Sequence, residues 1–528
     1  MNLKLTEQLG GEWMDETVAE SQGRKLPSIV IIGIGGGGSR ILSEGLEKIV
    51  KHQNVDRYIC LTKAIKADTE KPLVYIVDTS ADPTTKGFFE NIPYEQKISL
   101  SQTIKGMSRG AGGRPGRAAN AVLNEDVVQN LAKNLYKPIS KIEPAIIVII
   151  HTADGGTGGG LTPEILLHLG YALPASTVFW VFTVLPKRSA LALSGPRTVA
   201  PTMGKLLKVA RKISDRDFTS IPYNCRNILT KEMGTRKRDQ SYEFQHSRIA
   251  IFPLSNNHFS QCWKGYSRKE IREEVLNPFP IELLSQALYP FLKYVVASQE
   301  EQSWMQDHWP LGPIDIPDIM AGLTPERPFV VPHLWIDPDI ENEVEVDTVL
   351  KNLYDGVITL DRNCTENEEE DLGLFTFTGA STGIYEFRAT SIYCVPVYPK
   401  GSEYFEEFSD FVSDEWFPKI SSKLNYIGGR DGIRTGVISH AANLKPQPIP
   451  LPHEDIDLGF KNGLLVSLLF GAVPMDLPIW LESTRNIIED HKNEDFWEIS
   501  YYDATERLRE IALYIGWPNW PQEKYISI

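Results

Sequence analysis

Two stretches of this chain carry residue types suited to phosphate chemistry. The first, residues 145 to 163, reads AIIVIIHTADGGTGGGLTP, an apolar run that enters a loop nearly devoid of side chains. Across Asp154, Gly155, Gly156, Thr157, Gly158 and Gly159, consecutive backbone N–H groups can turn towards one point and form a nest for phosphate oxygens. Thr162 and Pro163 read as an N-cap and a first-turn proline, which predicts a helix N-terminus behind that point. A plain surface loop is the alternative; a buried strand before it and a capped helix after it favour phosphate.

The second stretch is Pro313-Ile-Asp315-Ile-Pro317-Asp318-Ile-Met320. Pro317 suits the first turn of a helix, so Asp315 and Asp318 fall on one face three residues apart. Two such carboxylates can hold a cation and orient a water molecule. Their structural alternative is N-capping with compensation of the helix dipole.

The elements that must position these groups read as a parallel sheet. Strands are predicted at Ser28 to Ile32, Leu73 to Val77, Ala145 to Ile150, Ser176 to Leu185 and Arg248 to Leu254, apolar and β-branched enough to be buried on both faces. After the first comes Gly33-Ile-Gly35-Gly36-Gly37-Gly38-Ser39-Arg40 and an amphipathic helix. This satisfies GxGxxG, but the usual acidic residue about 20 positions on would fall near His52 to Asp56, where no second strand ends. A nicotinamide or flavin oxidoreductase is therefore the minor reading. The second strand runs into Asp78 and Thr79, at the sheet edge where ligands bind.

A third glycine-rich loop spans Gly106 to Arg117, with Arg109, Arg114 and Arg117, and opens a long helix through about Lys133. It suits a clamp over a polyanion or, alternatively, a solvated basic loop. Residues 280 to 298 form a helix apolar nearly all round, interrupted or kinked at Pro290. Beyond it, strands near 329–336, 389–397, 432–440 and 463–470 and a helix near 403–423 read as a smaller mixed α/β domain, followed by a helix at 504–514. The acidic run 366–371 reads as a solvated loop.

GGTGGG, between a buried strand and a helix, resembles the signature loop of the tubulin and FtsZ superfamily, GGGTG followed by Thr or Ser and Gly. It lacks the lysine of a Walker A motif. The first loop is similar to GVGGGGGN of FtsZ, Val77 to Ala81 is similar to VNTDA, and Gly106 to Ala119 aligns without gaps to GLGAGANPEVGRAA. The carboxylate stretch resembles NVDFADVR, the loop through which one subunit attacks the nucleotide of its neighbour.

This resemblance implies a GTPase with a Rossmann-like nucleotide-binding domain (28–275), a core helix and connection (276–312), a C-terminal domain carrying the catalytic loop (313–480) and a helical tail (481–528), after an extension at 1–27. It implies that Gly35 to Ser39 meet the α and β phosphates, that Gly110, Ala111 and Gly112 meet the γ-phosphate, that Arg117 meets the ribose and Glu282 the guanine. Asp315 and Asp318 would act on the attacking water. GTP or GDP with Mg²⁺ would be bound, and copies would assemble head to tail into filaments, with adaptor proteins as further partners.

The chain departs from the family pattern at several places. Arg40 replaces an asparagine, Arg114 a glutamate, Gly112 an asparagine, Gly159 a Thr or Ser, Pro313 an asparagine, and Asp154 the first glycine of the signature loop. A carboxylate beside phosphates is repulsive, so Asp154 is expected either to bind hydrated Mg²⁺ or to pair with Arg109. These departures keep open a scaffold of the same fold that binds nucleotide without turning it over.

Composition agrees with a large soluble protein. The 528 residues suffice for two or three domains, and 42% hydrophobic with 23% charged residues is ordinary for a globular chain. A net charge of −15 argues against general nucleic-acid binding. The five cysteines are scattered without CxxC spacing, which predicts a reducing cytoplasm and no cysteine metal site. No secretory leader and no transmembrane stretch are read from the sequence.

Overall fold

The computed structural model describes residues 27–51, 56–66, 71–80, 92–101, 103, 111, 114–186, 198–233, 247–255, 277–296, 316–320, 323–325, 328–336, 340–344, 346–347, 391–399, 411, 415, 450–451, 464–471, 476–490 and 501–514. The expected strand at 432–440, the acidic run 366–371, most of the expected helix 403–423, the extension 1–26 and the last residues from 515 lie outside these.

In chain order the first domain comprises β1 (Ile29–Ile34), α1 (Gly35–Lys51), α2 (Asp56–Lys66), β2 (Val74–Asp78), β3 (Lys97–Ser99), α3 (Pro115–Ala121), α4 (Glu125–Leu131), α5 (Lys137–Ile142), β4 (Ile146–Thr152), α6 (Gly156–Ala172), β5 (Val178–Leu185), α7 (Ala200–Ser214), α8 (Tyr223–Met233) and β6 (Ile249–Ser255). The six strands pair in parallel in the order β3-β2-β1-β4-β5-β6. β1, β2 and β5 are buried along their whole length and β4 up to its last residue, as near-continuous apolar strands in a two-sided sheet must be.

Alternation divides each strand between two layers. Val30, Ile32 and Ile34, with Ile147, Ile149, Phe179 and Val181, face a core filled from α3, α4, α6, α7 and α8. On the opposite face α1 packs on β1, β2 and β4, and α9 (Phe279–Val296) lies across α1 and α2. α9 runs unbroken through Pro290, where the sequence predicts a kink or break.

The second sheet is mixed. β7 (Val330–Ile336), β8 (Ser391–Pro399), β9 (Pro450–Leu451) and β10 (Leu464–Phe470) take the order β7-β10-β8-β9, antiparallel except for β8 with β9. Ahead of it stands the short helix α10 (Ile316–Met320). Two helices follow, α11 (Asp476–Asp490) and α12 (Tyr501–Tyr514). α12 packs on α7, and Leu481, Ile488, Leu508, Ile511 and Ala512 belong to the apolar core of the first sheet. The chain's last described helices thus return to the domain that its first strand began.

Two local expectations are corrected, and one element is new. α6 starts at Gly156 with Gly155 as its cap, so Thr162 and Pro163 lie inside the helix. Pro163 there removes one i→i−4 hydrogen bond, and the Thr162 hydroxyl is buried without a partner. The long helix expected through about Lys133 is interrupted once, at residues 122–124 between α3 and α4, and α4 then continues through a π-helical turn (Ala132–Tyr136) into α5; Asn124 caps α4 by accepting from the Asp126 N–H at 2.8 Å. α2 occupies residues that carried no predicted element.

Candidate functional site

In an open parallel sheet, ligands bind outside the carboxyl ends of the strands where the strand order reverses. Here that point lies between β1 and β4, and both strands end in glycine loops. β1 passes into α1 with no intervening residue: Gly35 has φ of +72°, and a Cβ there would come 2.8 Å from the Gly158 nitrogen. Only glycine meets both the left-handed backbone and that proximity. The two loops therefore close on one another.

Behind them the packing is tight. A Cβ on Gly37 would lie 2.5 Å from Thr152 Cγ2, and one on Gly38 2.1 Å from the Ile150 carbonyl oxygen. Gly36 differs, since a Cβ there would meet nothing within 4 Å. The first turns of α1 and α6 contain no acidic residue, and Gly155 gives no side-chain cap. Each leaves N–H groups without intrahelical acceptors and a partial positive charge. With open space before Gly36 and a buried, unpartnered Ser39 hydroxyl in the same turn, the residues fit a phosphate chain.

This contrast predicts opposite behaviour for neighbouring glycines. Gly38→Ala should cost about 1–3 kcal/mol, because its methyl meets backbone that cannot swing aside. Gly36→Ala should be neutral or slightly stabilising. Urea unfolding of the two variants checks this, and equal midpoints would contradict the loop geometry.

Other expected residues converge on the same edge. The Thr79 hydroxyl lies 2.5 Å from that of Thr157, tying the end of β2 to the first turn of α6. Asp78 is buried, and its Oδ1 accepts from the Ser80 N–H at 3.2 Å. Ala111 is buried and Arg117 is exposed on α3, whose Pro115 carbonyl would lie 2.2 Å from a Cβ on Gly160. Arg40 is exposed in the second turn of α1. Asp154 is exposed beside Gly155, yet partial desolvation pushes its carboxyl above the ordinary range, against a hydrogen bond with Thr152.

Arg109, Gly110, Gly112 and Asp315 lie outside the described residues, and of Asp318 only the backbone, in α10, is described. Among the described residues there is no cluster of three side chains able to ligate a metal. A Mg²⁺ ion keeps several waters and needs only one or two carboxylates beside phosphate oxygens, a requirement that a single carboxylate such as that of Asp154 would meet.

Glu282 sits in different surroundings. It is buried at the start of α9, with Lys48 Nζ 2.9 Å from Oε1, Arg57 Nη2 3.5 Å from Oε2, and the Tyr58 hydroxyl donating to Oε1. Lys48 is 13 residues beyond Gly35 on α1, roughly 20 Å along the helix axis. The carboxylate is thus engaged in an ion cluster joining three helices, α1, α2 and α9.

Two residues at the site carried no sequence signal. Thr152 ends β4 beneath Gly37 and Gly155, and Thr202 on α7 donates to the Ala153 carbonyl at 3.4 Å. Thr202 comes from a segment 49 residues further on, so only the fold brings it there.

No protein-family model matches the sequence, and no curated protein matches it. Solved structures do. Over 88% of this chain and 99% of the other it is similar to CetZ2 from Haloferax volcanii, described as a GTPγS-bound protofilament, at 13% identity and a TM-score of 0.45. CetZ1 of the same organism, a GDP-bound monomer, gives 14% identity and 0.41 over 88% and 99%. TubZ of Bacillus thuringiensis serovar israelensis, a GTPγS-form protofilament, gives 12% and 0.49 over 89% and 94%.

Proposed function

We propose that this chain is a divergent tubulin/FtsZ-like protein that binds GTP in the β1/β4 crevice, assembles head to tail with further copies and hydrolyses GTP at the junction. One observation carries the reading: two glycine-built helix N-termini meet at the point where the strand order reverses, with open space before Gly36. The motif resemblance of the three glycine loops and of the carboxylate stretch supports the rest.

In this reading the first-turn amides of α1, with Ser39, hold the α and β phosphates, and Gly155 to Gly159 present a second set of amides. Gly110 to Gly112 approach the γ-phosphate and Arg117 the ribose. Asp78 and Thr79 line the neighbouring edge, Thr79 by steadying Thr157. Asp154 is the residue that would hold Mg²⁺, which neutralises phosphate charge when bound. Asp315 and Asp318 of the adjoining copy orient the attacking water; the protein's share is placement and electrostatics. A head-to-tail junction is heterologous, so it propagates into a filament. Placement in the cytoplasm belongs to this proposal; no described helix is long and apolar enough to cross a membrane.

The test is sedimentation and electron microscopy with GTP, GDP or ATP, read beside phosphate release over a range of protein concentrations. Turnover per molecule should rise with concentration, and a flat profile would remove the shared site. Asp154→Asn should bind GTP more tightly without Mg²⁺ and gain less from adding it; an unchanged Mg²⁺ response would remove the metal role.

Pro313 and Asp154, both departures at chemically decisive positions, favour a second reading: a scaffold that binds and assembles but releases no phosphate. β2 also ends on an acidic residue, Asp78, where a dinucleotide enzyme holds its ribose. Nicotinamide or flavin absorbance in the purified protein would support that chemistry instead.

A further inference from the structure

Gly159 stands where the resembling signature loop carries Thr or Ser, and the neighbourhood of that glycine suggests why. A Cβ built on Gly159 would lie 2.4 Å from Thr202 Oγ1 and 3.1 Å from the Ala153 carbonyl oxygen. Thr202 is 1% exposed on α7, and its hydroxyl donates to that same carbonyl. The volume that a side chain at 159 would fill is thus already occupied by a hydroxyl from another element, and the acceptor within its reach is already engaged.

We propose that Thr202 is a positioning residue for the phosphate-binding loop, supplying from α7 the hydroxyl that the loop itself lacks at Gly159. The Ala153 carbonyl is the last fixed point before the loop leaves the sheet, because the Ala153 N–H donates to Val184 at 2.9 Å. Holding the carbonyl from the other side fixes the peptide that leads into Asp154. The direction of the amides from Gly155 to Gly158 then follows, since the Gly159 N–H donates to the Gly155 carbonyl at 2.8 Å. A hydroxyl bond of this kind adds little to global stability, but an error in the heading of a loop is passed to every amide that follows. The inference rests on the nucleotide reading for its consequence, not for its contact.

The experiment is a hydroxyl exchange between the two positions. Thr202→Ala removes the donor and should weaken GTP binding about tenfold, while Thr202→Ser retains it and should bind as wild type. Gly159→Ser alone collides with Thr202 and should also weaken binding. The double variant Thr202→Ala with Gly159→Ser returns a hydroxyl to the vacated place and should recover affinity to within about threefold of wild type. A double variant weaker than both singles, or Thr202→Ala binding as wild type, overturns the proposal. Amide hydrogen exchange of the loop in nucleotide-free protein gives an independent readout. Faster exchange in Thr202→Ala, reversed in the double variant, supports the contact even if no GTP binds, an outcome that would sink only the nucleotide reading. Unchanged exchange overturns the proposal.

Discussion

Asp315→Ala and Asp318→Ala are each expected to bind GTP as wild type does and to release phosphate at least about a hundredfold more slowly, the scale typical of a lost general acid or base. The shared-site reading goes further and predicts complementation. Gly36→Asp is the natural partner variant: nothing outside its own helical turn lies within 4 Å of a Cβ there, so the fold should be undisturbed, while the carboxylate should enter the space assigned to phosphate. In the first helical turn an acid even favours the dipole. Alone, this variant should fail to bind GTP. Mixed in equal amounts with Asp315→Ala, it should restore roughly a quarter of the junctions, those in which one copy brings nucleotide and the next brings both acids. A mixture no faster than its components would show that each molecule completes its own site or that no turnover exists.

Which parts of this site could be read from sequence follows from how local their cause is. The strands at 145–150 and 176–185 are legible because burial on both faces demands an unbroken apolar run. The glycine loops are legible as loops but not as helix starts. Gly35 and Gly156 begin helices that local propensity disfavours, since glycine is unfavourable in helices by about 1 kcal/mol; these turns are stabilised by packing against the opposite loop. That is also why Pro163 misled: it occupies an ordinary first-turn position only if the glycines are assumed to be coil. Thr202 and the return of α11 and α12 to the first domain depend on contacts between distant segments, which no spacing within either segment encodes.

Glu282 shows the same limit and carries the largest expected effect on stability. Burial pushes its carboxyl up, but Lys48 and Arg57 with the Tyr58 hydroxyl overcome that and hold it at about 2, against an ordinary 4.5. The folded protein therefore binds this proton more weakly than the unfolded chain does. The stabilisation is fully present above the ordinary carboxylate range and is lost as pH falls towards about 2. Glu282→Ala removes the carboxylate shared by the buried Arg57 and the half-buried Lys48 and should cost about 3–5 kcal/mol near neutral pH. Denaturant unfolding measures it, and a loss below about 1 kcal/mol would contradict the cluster. Glu282→Gln should flatten the acid limb of the stability profile below the ordinary carboxylate pKa. Replacing Glu282, Lys48 and Arg57 together by Leu, Met and Met should recover much of the loss, because desolvation of all three charges is then avoided. The cluster joins α1, which begins at the phosphate crevice, to α9, so the triple variant separates its two consequences. Wild-type stability with unchanged GTP binding would make the ions a device of folding alone, whereas regained stability with weakened binding would place them among the groups that set the angle of α1.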